Sequence, residues 1–295
     1  MLKKEDKGFG VLKHIVLALF SLACAAPFIL LIMSSFTDEN TIVANGYSFI
    51  PAKFSLDAYT YLIERSSTIL HAYSITIIVT VIGTIFMLLI TALTAYPLSN
   101  KKLIFRKGLN FYVVLTLLFN GGMIPTYLIY AQVLHLRNTI FALIIPGLLM
   151  NGFNVMIMKS YFATSIPSEV LESARIDGAG EFRIFARIVL PMSLPILATV
   201  GLFGGLAYWN DWYNGLLYLT KPSLFSLQNV LNRIILNVQY LSTTPTNNGQ
   251  AGLATMPTQT VRMAIAVIAI VPILFIYPFV QKYFVKGISL GAVKG

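Results

Sequence analysis

Cysteine is almost missing from this chain: its 295 residues hold one, Cys24, inside an apolar run. That excludes an internal disulfide and a cysteine-built metal cluster, and Cys24 is expected to be a small buried hydrophobe. Charge is scarce as well. Only 11% of residues are charged, against roughly 25% in soluble domains, while 57% are hydrophobic and the mean hydropathy is +0.76. A chain this apolar belongs in a membrane. Acids are rarer still inside the long apolar runs, which contain no Asp or Glu except Asp211 at the end of one. Ion-coupled carriers and pumps keep acids within their spans, and an inverted repeat, another mark of secondary carriers, is also missing. The chain has no G-x-x-x-x-G-K-[ST] phosphate loop, no H-E-x-x-H and no G-x-S-x-G. It therefore has no means of hydrolysing ATP alone, and no catalytic or metal motif. His14 and His71 stand alone and are expected to be structural or solvated. The net charge of +10 is spread over short loops without a basic groove or zinc-finger spacing, which argues against nucleic acid as a partner.

Six apolar runs remain, at about 13–35, 73–98, 109–132, 139–161, 192–213 and 261–281, each near the ~20 residues a spanning helix needs. They predict an all-α polytopic membrane protein with six transmembrane helices. Lys3, Lys4 and Lys7 before the first run, with Ala23-Cys24-Ala25 inside it, have the outline of a signal peptide. The run continues to Met33, however, and is read as a retained first span. With the N-terminus inside, fifteen of the 21 Lys and Arg residues fall on inner segments and six on outer ones. Positive charge marks the cytoplasmic side, so both termini and the loop between the fourth and fifth runs are expected in the cytoplasm. Outside, segment 36–72 reads as a short ordered loop with no evident chemistry. Segment 221–258 reads as an amphipathic helix at the interface or against a partner. Its apolar face is Leu224, Leu227, Val230, Leu231, Ile234, Ile235, Val238 and Leu241. Asn229, Asn232, Arg233, Asn237 and Gln239 lie opposite, with a polar loop after them.

Several runs carry polar or conformational interruptions. Asn120-Gly121-Gly122-Met123-Ile124-Pro125 within the third predicts a break or kink, tolerable only against protein or water. Asn151 and Asn154 in the fourth are three residues apart, hence on one helix face; they serve either interhelical hydrogen bonding or a polar pathway. Gly201, Gly204 and Gly205 in the fifth allow close helix packing. That run ends Tyr208-Trp209-Asn210-Asp211-Trp212-Tyr213-Asn214, which is either an interfacial aromatic belt or a surface of rings and amides suited to sugars.

The most polar interval lies between the fourth and fifth runs. Ser165-Ile-Pro167-Ser168-Glu169 reads as a helix start with a hydroxyl cap, an early proline and an acid. Gly178 and Gly180 break that helix. From Glu181 a second short helix puts Phe182, Phe185 and Val189 on one face and Arg183 and Arg187 opposite, and Leu190-Pro191 is expected to end it.

Glu172-Ser173-Ala174-Arg-Ile-Asp177-Gly178-Ala179, followed by Leu190-Pro191, resembles the Glu-Ala-Ala loop of permease subunits in binding-protein-dependent ABC importers, with Ser173 in place of the first alanine. Gly121 to Tyr127 is similar to a segment of the oligosaccharide permease subgroup. The Trp209-Asn210-Asp211 order and the ending Gly291-Ala292-Val293-Lys294-Gly295 resemble MalG-like sugar permeases. The likeness is nearly continuous from about Pro125 onward and weakest before residue 70.

The resemblance implies a type I importer permease fold in a single domain, 1–295, with its core at 70–285. It also implies a coupling helix–turn–helix at 163–191 between the fourth and fifth helices, and a cytoplasmic tail at 282–295. Glu172, Ser173, Ala174, Asp177, Gly178, Ala179, Phe182, Phe185, Leu190 and Pro191 would meet an ATPase, as would the tail through Val293, Lys294 and Gly295. Asn151, Asn154, Trp209, Asn210 and Asp211 are the candidates for the solute pathway. The implied partners are a second homologous permease, two ABC ATPases that bind ATP and Mg, an extracellular solute-binding protein, membrane lipid and a sugar or oligosaccharide. This chain itself would bind no cofactor and catalyse nothing, and it would sit in a bacterial cell membrane. An ABC permease for an amino acid or polyamine is the alternative, with an ion-coupled carrier or a purely structural membrane subunit behind it.

Overall fold

The computed structural model describes residues 7–64, 66–243 and 258–292 and packs as two units. One takes the chain up to Thr68 together with Arg233–Leu274; the other takes Ile69–Asn232 and the chain from Phe275 onward. The described residues are mostly helical and contain no strand, only an isolated antiparallel bridge between Thr37 and Phe54.

In the first unit α1 (Lys7–Ser35) is a long apolar helix whose Leu12, Leu19, Phe20 and Leu22 stay exposed. Cys24 is exposed as well, against the expectation of burial. Most of the helix's circumference is exposed apolar surface, which requires lipid or another protein. Segment 36–72 is more ordered than a loop: it forms α2 (Glu39–Asn45) and α3 (Asp57–Glu64). Asp38 caps α2 by accepting from Thr41 N–H at 3.3 Å. Ser35 and Tyr59 share a hydrogen bond of 2.8 Å, and Phe36 stacks on Tyr59. Glu39 accepts from Gln259 N–H, Thr260 N–H and the Thr260 hydroxyl at 2.7–2.9 Å. These are first-turn groups of the last helix (Thr258–Ala292, α15 below), whose N–H groups have no partner within the helix.

The second unit is built on α4 (Ser66–Ser99). α5 (Arg106–Leu118) and α6 (Met123–Leu128), prolonged by a π-turn at Ile129–Val133, meet at 111°. The third apolar run is thus two helices, broken where its two glycines lie. The fourth run is also broken, into α7 (Phe141–Ile144) and α8 (Gly152–Ser165), with Pro146 and Gly147 in the gap. α9 (Ser168–Ile176) and α10 (Glu181–Ile184) form the polar interval. A π-turn at Phe185–Val189 carries α10 into α11 (Leu190–Met192). α12 (Leu194–Trp209) then sets off at 82° to that segment. α13 (Tyr213–Tyr218), a 3₁₀ turn at Pro222–Leu224, α14 (Leu227–Thr243) and α15 (Thr258–Ala292) follow. Among the described residues, α1 from Gly10 and α4 are each long and apolar enough to cross a membrane, and counting each bent pair as one span makes up to four.

α12 lies against α4 at glycine-lined contacts. A Cβ on Gly204 would stand 1.9 Å from Met87 Cε, and one on Gly83 would stand 2.6 Å from the Tyr208 ring. That ring is fixed, because its hydroxyl donates to the Ile144 carbonyl at 2.9 Å. α8 packs against both α5 and α12. In α14 the expected two-faced pattern holds at Leu227, Val230 and Leu231, which are buried, but not at Asn229. Asn229 is fully buried and occupies the space beside Gly215, its amide donating to the Trp212 carbonyl. Ile235 is exposed. The side chains of Asn237, Val238, Gln239 and Leu241 lie outside the described residues, as do residues 244–257.

Candidate functional site

Two features stand at opposite ends of α8 and α12. At one end is the α9–α10 loop. The cap of α9 is Pro167, which has no hydroxyl to offer, and no side chain caps the helix; Glu169 is the acid in its first turn. Its other end is closed by a Schellman motif: Ala179 N–H donates to Ala174 O at 3.0 Å and Gly178 N–H to Arg175 O at 3.1 Å. The motif needs a left-handed residue after the cap, Asp177, and Gly178 supplies it with φ +77°.

Glu181, the first residue of α10, ties the loop together. It accepts from Tyr96 Oη of α4 at 2.6 Å and from Arg175 Nε of α9 at 2.7 Å. The Arg175 guanidinium first, and the Tyr96 hydroxyl second, hold its carboxyl below the ordinary 4.5. Tyr96 also packs on Phe185, ring centres 5.3 Å apart. Glu172, which could have paired with Arg175, instead faces Lys102 Nζ at 3.5 Å, with both side chains exposed.

Phe182 and Phe185 do not share a face: Phe185 is buried and Phe182 is 76% exposed. Ile184, fully buried, fixes the inner side, and Phe182 lies two residues or about 200° from it. Val189 is buried, as expected, with Arg183 and Arg187 exposed. Pro191 does not end the helix. The π-turn precedes it, α11 continues to Met192, and the break comes at Ser193, just before Leu194-Pro195. Ser173 and Asp177 are exposed, Ala174 is buried, and Ala179 and Leu190 are half-buried. Ile176, at 86% exposure, is a loop residue that sequence reasoning passed over. Val293, Lys294 and Gly295 lie outside the described residues.

At the other end is a chamber of about 550 Å³ between the α5–α6 break, the α7–α8 gap and the chain after α12. Asn120 builds the first wall: its side-chain oxygen accepts from Gly122 N–H, and Gly122 takes φ +84° to start α6. Asp211 builds another. Its Oδ1 accepts from Tyr213 and Asn214 N–H, both at 3.1 Å, which caps α13. Its Oδ2 is buried with no hydrogen-bond partner. The Asn214 amide donates to the Pro146 carbonyl at 3.0 Å. Tyr218 stacks on Tyr127 and meets the Tyr130 ring edge-on. Among the described residues the lining includes Thr126, Tyr130, Tyr213 and Tyr218, and no lysine, arginine or histidine.

Of the five pathway candidates only Asp211 lines this chamber. Asn151 and Asn154 border a smaller cavity of about 330 Å³, which shares Gly147 and Leu148 with the first. Asn151 is the cap of α8 rather than a residue within it, accepting from Phe153 and Asn154 N–H; Asn154 is buried and reaches Met87 Sδ. Trp209 is buried beside Tyr73 and lines neither cavity. Asn210 is exposed and accepts from Gln228. Tyr213 stands in the aromatic stretch already singled out, but Tyr130 and Tyr218 were missed: one lies inside the third apolar run and the other beyond the fifth, where a lone tyrosine carries no signal of its own. Among the described residues no cluster of His, Cys, Asp or Glu could hold a metal.

Residues 93–290 match the family described as "Binding-protein-dependent transport system inner membrane component". The chain is 41% identical over 291 residues to the "Polygalacturonan/rhamnogalacturonan transport system permease protein YtcP" of Bacillus subtilis, covering 99% of this chain and 100% of the relative. It is 38% identical to "Protein LplC" of the same organism, covering 99% and 97%. Among solved structures, a chain of a bacterial ABC transporter "involved in the import of the acidic polysaccharide alginate" superposes with a TM-score of 0.79 at 30% identity, covering 96% of this chain and 99% of that one.

Proposed function

This chain belongs to the family of binding-protein-dependent transport system inner membrane components, and from that premise we propose that it is a permease subunit of an ATP-driven importer for a sugar or oligosaccharide. The similar permease is named for polygalacturonan and rhamnogalacturonan, and the similar structure for alginate; these names support an oligosaccharide as the solute. In this reading a second permease, two ATPases and a solute-binding protein complete the assembly, and the chain crosses the membrane six times with both termini and the α9–α10 loop in the cytoplasm, as the excess of Lys and Arg on those segments supports.

The observation that carries the proposal is the arrangement of α8 and α12. These two helices, packed together, run from the loop to the chamber walls. Their 14 and 16 residues correspond to about 21 and 24 Å at 1.5 Å per residue. An ATPase pushing on the exposed loop would move both helices at once, and the chamber walls with them. Energy enters through contacts that differ between two states of the pair. Glu172, Ile176 and Phe182 are exposed on the loop and suited to a docking subunit. Glu181 and the Schellman turn keep the two short helices in register.

The test is reconstitution of the assembled complex in liposomes. Oligosaccharide-dependent ATP hydrolysis and uptake are expected. Gly178→Asp puts a side chain on a positive φ, costing on the order of 1–2 kcal/mol; it should abolish stimulated hydrolysis while leaving the complex assembled. Uptake driven by an ion gradient without ATP, or normal stimulation in the assembled mutant, would overturn the reading.

A further inference from the structure

We propose that the bend between α4 and α5, residues 100–107, is a docking surface for anionic phospholipid of the cytoplasmic leaflet. Lys101, Lys102, Arg106 and Lys107 crowd four cations into seven residues, with no acid among them. Between them stand Ile104 and Phe105, 88% and 74% exposed. Water suits the cations but not two bare apolar side chains. A purely apolar partner suits the pair but not the charges. The surface of an anionic bilayer suits both: its phosphates meet the cations, and its acyl boundary takes the apolar groups.

The bend is held in shape by its own hydrogen bonds. Asn100 Oδ1 accepts from Lys102 N–H at 2.9 Å, and Arg106 N–H donates to the Leu103 carbonyl at 3.2 Å. Arg106 Nε donates to the Leu98 carbonyl at 2.9 Å, which fixes the guanidinium at the end of α4 without cancelling its charge. Leu103 lines a cavity with Phe182 and Phe185, whereas Ile104 and Phe105 do not. Lys102 faces Glu172. Among the described residues, Lys101, Arg106 and Lys107 face no carboxylate at ion-pair distance. The acids Glu169 and Glu172 line a groove that Lys101 and Lys102 border and that Arg106 and Lys107 do not. α5 continues the surface. Phe111 and Tyr112 are exposed, as is Leu118 further along. Phe111 lies four residues after Lys107, on the same helix face. A lysine in that position lays its stem along apolar surface and keeps its ammonium at phosphate level. The apolar pair thus joins the bare flank of a helix read as part of a span, and this continuity favours lipid over a soluble subunit as the occupant.

The test places p-benzoylphenylalanine at Phe105 in the assembled complex. The vesicles contain dioleoyl phosphatidylglycerol and dioleoyl phosphatidylcholine in equal amounts. The two lipids share their acyl chains, so a difference in photo-adducts, read by mass spectrometry of this chain, reports the headgroup. Both leaflets hold both lipids, so the ratio does not depend on orientation. One cation near an anionic surface corresponds to roughly fivefold in binding. Phosphatidylglycerol adducts are therefore expected to outnumber phosphatidylcholine adducts by about threefold or more. Lys101→Gln combined with Lys107→Gln should bring the two lipids close to parity. Salt is a second handle that needs no lysine variant: near 0.5 M the preference should fall as well. The same probe at Leu118, at the far end of α5, should show parity throughout. Adducts of Phe105 with an ATPase or the partner permease in place of lipid overturn the proposal. So do equal adducts of both lipids in the wild type, or a preference that neither the lysine changes nor salt reduces. Oligosaccharide-stimulated ATP hydrolysis in the same vesicles reads the importer function separately, so either reading can fail without the other.

Discussion

Glu172 and Glu181 lie nine positions apart on the same loop and do different things. Glu172 meets Lys102 across 3.5 Å with both side chains in the open; such a pair contributes roughly 0–1 kcal/mol. Removing it should leave stability within about 0.5 kcal/mol. A carboxylate buried against an ATPase surface, in contrast, makes charge-assisted bonds worth about 1.5–3 kcal/mol. Glu172→Ala is therefore expected to lower ATPase retention on purified permease pairs about tenfold to a hundredfold with an unchanged melting temperature; unchanged retention would make Glu172 a surface residue. Glu181 is internal to the loop. Its carboxyl is held below 4.5, so the stabilisation it supplies is fully present above its unfolded value and is lost as pH falls through the lowered one. Coupled ATP hydrolysis should thus show no Glu181-dependent change between about pH 6 and 8. The contribution should fade only as pH falls below the ordinary 4.5, and Glu181→Gln should remove that acid limb from a thermal-stability profile. The Asp177-Gly178 turn was legible in the sequence because a glycine directly after a short polar helix is the residue that a left-handed helix end requires. The bond from Glu181 to Tyr96 was not, since it joins residues 85 apart and leaves no local pattern.

Among the elements, hydropathy located α1 and α4 well, and the paired glycines located the α5–α6 break. The hydrophobic pattern said nothing of the π-turns at Ile129–Val133 and Phe185–Val189. One extra residue in a turn shifts which side chains face inward without altering composition, and this is how α10 carries on past Pro191. The α4–α12 contact was half legible. Gly204 was expected at a close approach, but its counterpart Gly83, under the Tyr208 ring, belongs to another run. Gly83→Ala would drive a Cβ into a ring tied at its far end to Ile144. Overpacking of this kind costs about 1–3 kcal/mol, so the detergent-solubilised variant should melt several degrees lower. Tyr208→Ala in the same chain should relieve the clash, and the two changes should then be non-additive. Simple addition of their effects would mean that the ring moves aside freely.

At the scale of the whole molecule, the family could be read from about a dozen residues, whereas the chamber needed the fold. Its walls come from three separated stretches, and each looks like an ordinary interruption of an apolar run. Orientation rests on the excess of Lys and Arg on one set of loops, and it makes a prediction. In a chain with Cys24→Ala, a cysteine at Ser173 should resist a membrane-impermeant maleimide added to intact cells, and one at Ser223 should react. The reverse pattern would invert the topology and move the chamber to the cytoplasmic side.

The bond between Glu39 and the start of α15 also bears on how the molecule is made. The acceptor is synthesised 220 residues ahead of its donor. At about 5–20 residues per second the carboxylate leaves the ribosome some 10–45 s before Gln259 and Thr260 exist. Throughout that interval the first helices are already being threaded into the bilayer with their closing partner still unmade. The first unit cannot fasten this helix until Gln259 and Thr260 have been translated. A ribosome that stalls before Thr258 would thus leave an inserted but unlatched chain, distinguishable to a membrane protease from a completed one.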